Sequence, residues 1–166
     1  DACIAAAEAS VATRGATARE KGHLAALRAW RAGDLVAAER AWAAIFVDAP
    51  LDIVALRMAH YVHIYMGDAR RLRDAPESAA HAWDPSTPDY GFFLGICAFG
   101  LEEAGEYAAA EALSRQALHI NGADIWSMHA LVHVMEMEGR WREGIATVAA
   151  HEGGWSARNH LSYHIW

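Results

Sequence analysis

The chain has 166 residues, enough for one domain with a real core or for an elongated array. Alanine supplies 38 of them and proline only 4, a composition that points to helix throughout and away from β-rich folds. A net charge of −7, with 14 basic residues spread thinly, argues against a nucleic-acid partner.

In chain order, the periodicity predicts helices over 19–32 and 35–48, 52–66 and 68–82, 90–104 and 106–120, and 124–138 and 140–150. A last helix begins near 157. The corresponding units are 19–50, 51–84, 88–122 and 123–154, with a truncated unit over 155–166, all within one domain of residues 1–166. Pro76, in RDAPESAA, is expected to break or restart its helix. Gly153 and Gly154, in HEGGW, are expected to stop theirs. The chain opens on DACIAAAEAS without methionine and stops in HLSYHIW inside a helical pattern, so it reads as a piece of a longer protein. Cys3 and Cys97 form no spaced framework, which favours a reduced, cytoplasmic setting. The longest apolar run, GFFLGICAFGL, is shorter than the ~20 residues needed to span a bilayer, and no signal peptide is visible.

A repeat organises these pairs. Gly33, Gly67, Gly105 and Gly139 each precede a polar or charged residue, at intervals of 34, 38 and 34 residues. Glycine suits the left-handed turn that ends a helix, and a following Asp or Glu suits the start of the next. Five residues beyond each glycine stand Ala38, Leu72, Ala110 and Gly144, three of them small, which allows close antiparallel packing. The four extra residues of the middle interval fall near WDPSTPD. A 34-residue helix–turn–helix period is the tetratricopeptide signature.

The phrases LRMAHYVHIYMGD, YGFFLGICAFGLEEAGEYAAAEALSRQAL, DIWSMHALVHVMEMEGR and NHLSYHIW, in this order, resemble the tetratricopeptide repeat protein 38 family from about residue 19 to the end. The resemblance implies a tetratricopeptide-like α-α superhelix, a right-handed solenoid of antiparallel helix pairs that extends beyond this chain. It carries over no biochemical activity.

In such a stack the first helix of each pair lines a concave face. Counting back from each glycine puts Glu20, His23, Leu27, Trp30 and Arg31 on that face, followed by Val54, Arg57, Tyr61, Ile64 and Tyr65. Phe92, Gly95, Phe99, Glu102 and Glu103 come next, and then Trp126, His129, His133, Glu136 and Met137, with His160 and His164 beyond.

The expected ligand-binding set is Arg57, Tyr61, Phe99, Glu102, Trp126, His129, His133, Glu136 and His160, taking a peptide or small ligand. The competing reading is a divalent metal on His129, His133, Glu136, His160 and His164, because His-x3-His spacing occurs at both 129/133 and 160/164. In an enzyme, His133 would be a base oriented by Glu136. No phosphate loop, nucleophile elbow or HExxH motif is present, and no cofactor is required. The plainer alternative is that the histidines, Glu102 and Glu136 hydrogen-bond one another and hold neighbouring repeats in register. Cys97 falls at a packing position, His60 and His63 on the packing side of their helix, and His81, His119 and His151 at helix ends that suit a cation.

Overall fold

The computed structural model describes residues 2–155 and 161–165. Among them the chain forms ten α-helices and no strand. These are α1 (Ala2–Arg14), α2 (Ala18–Arg31), α3 (Leu35–Asp48), α4 (Ile53–Met66), α5 (Ala69–Ala79), α6 (Tyr90–Glu103), α7 (Tyr107–Ile120), α8 (Ile125–Met137), α9 (Trp141–Trp155) and α10 (Ser162–Ile165), with a 3-10 turn over Ala80–Ala82. None of the helices is long and apolar enough to cross a membrane.

Most helix ends follow the glycine count because the local chemistry enforces them. Gly33, Gly67, Gly105 and Gly139 all sit at positive φ, between 66° and 79°, where a side chain would be strained. Asp34, Asp52 and Asp124 then cap α3, α4 and α8, accepting from the backbone N–H groups of Ala37, Ala55 and Trp126. Thr17 and Glu20 form a reciprocal capping box on α2. The residues five beyond each glycine, Ala38, Leu72, Ala110 and Gly144, are all buried, as close helix packing requires.

Contacts divide the chain into two compact units, residues 1–68 with 78–82, and residues 69–77 with 83–166. In the first, α3 packs against both α2 and α4. Trp42, Ile45, Phe46, Leu56 and Val62 form its core. Arg28 ties α1 to α2 through Glu8 at 2.7 Å. Asp52, besides capping α4, receives His23 Nε2 at 3.0 Å and lies 3.4 Å from Arg19. His60 and His63 are fully buried, and His63 Nε2 lies 3.3 Å from Glu39.

In the second unit α6 packs on α7 and α8, and α8 also meets α7, α9 and α10. Its core joins Leu118, Ile125, Met128, Leu131, Met135, Val148 and Ile165. The helices pack neighbour to neighbour, with next-but-one contacts of α6 and of α10 on α8.

Two expectations are corrected. Pro76 does not break α5, which runs through it from 69 to 79. The pyrrolidine removes the N–H that the Leu72 carbonyl would otherwise receive, and Pro76 itself is buried. Gly100 of α6 presses against that same carbonyl: a Cβ on it would meet the Leu72 oxygen and stand 2.6 Å from the carbonyl carbon. The bare Cα of Gly100 leaves room for that carbonyl beside the proline. Gly153 and Gly154 likewise do not stop α9, which continues to Trp155. Gly154 faces Gly122 and Ala123, where the absent side chain lets the two backbones approach.

The helix over residues 2–14 has no counterpart in the glycine count. Its sequence is rich in alanine but has no buried residue and little amphipathic pattern. The sharper clue was Gly15, which adopts the same positive φ as the repeat glycines without a following acid.

Candidate histidine-rich site

One face of the second unit gathers most of the predicted residues. Helix α8 carries His129 and His133 one turn apart, and α6 supplies Phe99 and Glu102, also one turn apart. Helix α10 adds His164.

Phe99 stacks on His129 with ring centroids 5.3 Å apart, and Trp126 lies 4.8 Å from Phe99 and 5.1 Å from His129. Phe99 and His129 are buried by these contacts, Trp126 is half-buried, and the rings wall one side of the cluster. On the other side His133 is half-buried and His164 exposed. Their Nε2 atoms face each other at 3.4 Å. Ligand atoms of His129, His133 and His164 all lie within 4.8 Å of one another.

Glu102 gives the cluster its charge. It is 6% exposed, and its Oε1 stands 3.7 Å from His133 Nδ1. The carboxylate raises the imidazole's pKa above the usual histidine value: the hydrogen bond to Glu102 outweighs burial, which opposes it, and the charges of Glu102, Glu136 and Glu103 add to it. Glu103 is itself held above the ordinary carboxylate value, by partial desolvation and then by its neighbour Glu102. Glu102 Oε2 is buried without a hydrogen-bond partner among the described residues.

The other predicted site residues fall elsewhere. Glu136 is exposed on α8 and acts on His133 through its charge. Arg57 and Tyr61 belong to the first unit, where the guanidinium lies 4.5 Å over the tyrosine ring and donates to its hydroxyl at 3.1 Å. His160 lies outside the described residues. Gly95 sits on α6 where a Cβ would meet the Ser127 hydroxyl and stand 2.7 Å from Asp124, so its lack of a side chain seats α6 on the start of α8.

Cys97 is half-buried, and burial pushes its thiol up to about 12, which keeps it protonated and unreactive. His81 and His151 bond the carbonyls of Ser78 and Thr147; α9 runs four residues past His151, so that histidine does not end its helix as expected.

A cleft of about 620 Å³ opens elsewhere in the unit, between α7 and α9 over Leu131. Arg115 and Glu143 pair at 2.9 Å on its rim, with His119 and His151 also lining it. None of the predicted site residues lines this cleft.

No protein-family model matches the chain, and no solved structure matches it.

Proposed function

We propose that the chain is a helical-repeat binding module of the tetratricopeptide-like kind, and that the face of α6, α8 and α10 holds a small ligand or peptide segment. The observation behind this reading is the composition of that face. A polar, partly open cluster of Glu102, His133 and His164 stands beside a wall of Phe99 and Trp126, while Phe92 and Met137 remain exposed on the same first-type helices. Such a mixture of apolar wall and few convergent polar groups is what ligand sites present. The 34-residue glycine spacing, helices of near-equal length and the α6–α8 contact support the repeat reading.

Panning a random peptide library on the immobilised chain tests the reading. Enriched peptides should lose binding to Phe92→Ser and His133→Ala variants and keep it with Ile145→Ser, which alters an exposed residue of α9. No enrichment, or peptides that bind all three variants alike, would overturn it.

A further inference from the structure

We propose that His129, His133 and His164 bind one divalent transition-metal ion of the zinc class, with Glu102 positioning His133 from behind. The inference stands on the geometry of the histidines and does not require the peptide-binding reading.

The separations fit a single ion. Nitrogens held ~2.0–2.1 Å from a tetrahedral ion lie about 3.3–3.4 Å from each other. The Nε2 atoms of His133 and His164 already stand 3.4 Å apart. Rings that radiate from such an ion have centroids about 5 Å apart. The three observed pairs measure 4.4, 4.9 and 5.6 Å. Side-chain rotation would narrow the widest ligand-atom gap, since His164 is exposed and His133 only half-buried.

The facing nitrogens of His133 and His164 make only a weak contact as they stand. Two lone pairs repel, and a shared proton over 3.4 Å makes only a long hydrogen bond. An ion takes both lone pairs along directions the rings already adopt.

Glu102 fixes which nitrogen is offered. A carboxylate 3.7 Å from Nδ1 favours a proton on that atom, so Nε2 carries the lone pair and points it at His164. The buried Oε2 has no hydrogen-bond partner among the described residues, so His133 satisfies the carboxylate only through Oε1, and a dication beside His133 would stabilise its charge further. Neutral imidazoles leave an ion's charge undiminished, and Glu102, Glu103 and Glu136 surround His133 with the opposite sign. Imidazole ligands select zinc, copper or nickel over magnesium and calcium, which prefer oxygen. Three protein ligands leave a position for water or for a group of a bound ligand.

The chain, freed of metal with a chelator, is titrated with Zn²⁺ alone by calorimetry and with Co²⁺ alone by visible absorption. One ion per chain is expected, with the intense visible bands of four-coordinate Co²⁺. His164→Ala changes an exposed side chain and leaves the fold in place, as helicity by circular dichroism would verify; its affinity should fall at least about 100-fold. His133→Ala should fall as far. Glu102→Gln, equal in shape and without charge, should lose roughly 10–100-fold. His151→Ala on α9 should bind as the parent does. Failure of both ions to bind at about 1 mM, or binding that survives His133→Ala and His164→Ala, would overturn the site. Unchanged affinity in Glu102→Gln would overturn the role given to that carboxylate.

Discussion

Replacing Gly100 with alanine tests how α6 is seated. The added Cβ would stand 2.6 Å from the Leu72 carbonyl carbon and 3.0 Å from Arg73 Cα, with the Leu72 oxygen nearer still. Carbon atoms at rest lie ~3.5–4.0 Å apart, so α6 and the 69–77 segment must separate by roughly 1 Å. The obstacle is backbone, which cannot rotate away as a side chain can. Overpacking of this kind costs about 1–3 kcal/mol, and the rigid neighbour places Gly100→Ala at the upper end. Alanine's better helix propensity returns about 1 kcal/mol, leaving a net loss of about 2 kcal/mol. For a chain of this size that lowers Tm by about 4–8 °C. Thermal melting by circular dichroism reads the change. Gly153→Ala is the control, since a Cβ there meets nothing within 4 Å and should leave Tm unchanged or slightly raised. A Gly100→Ala protein that melts at or above the parent would refute the close approach.

Acid should weaken the first unit through His60. Burial, then Arg57 and His63, hold its pKa well below the usual histidine value, so it stays neutral when folded. The unfolded chain takes up a proton as pH falls through about 6.5, so stability declines below that point by at most about 1.4 kcal/mol per pH unit. Denaturant melts at pH 7.5 and 5.5 should show this slope, flattened in His60→Met; parallel slopes would count against it. Asp52→Ala removes the α4 cap and the partner of His23 and should cost about 1–3 kcal/mol in urea melts, against less for Asp52→Asn, which still caps. Burial alone would raise the Asp52 pKa, but the Ala55 N–H, His23 and Arg19 together lower it, so this stabilisation is present above about pH 3.8 and fades only as pH falls further. An aromatic disulfide reagent at pH 8 should label exposed Cys3 rapidly and Cys97 slowly; equal rates would contradict the buried, protonated thiol.

The helices were legible because their punctuation is local. A glycine at positive φ and a capping aspartate each act within a single turn, and Gly33–Asp34 states both in adjacent letters. Pro76 was misread because its tolerance lies 24 residues away, in the missing side chain of Gly100, and no local rule carries that information. Helix α1 escaped notice because it buries nothing and so leaves no periodic trace. At the site, the i, i+4 spacing of His129 and His133 announced a shared face. It did not announce that Glu102 would come to Nδ1 and His164 to Nε2, since both approaches are set by packing between helices. Phe99 was expected to line an open face and instead supports His129 from beneath, its burial decided by Trp126 closing over it.

Helix α10 is only four residues long, far below the length at which an isolated helix persists in water. Its attachment runs through Ile165, which enters the core cluster beside Met128, Leu131 and Met135. His164, the neighbouring residue, therefore owes its place among the imidazoles to that side chain and to Leu161, which packs against the same cluster. Occupancy of the face and docking of that last turn become a single equilibrium: whatever grips His164 raises the melting point of the turn, and whatever loosens Ile165 lowers the number of imidazoles on offer from three to two. An ion or ligand held through His164 would thereby bind the more weakly, the less firmly that turn is folded.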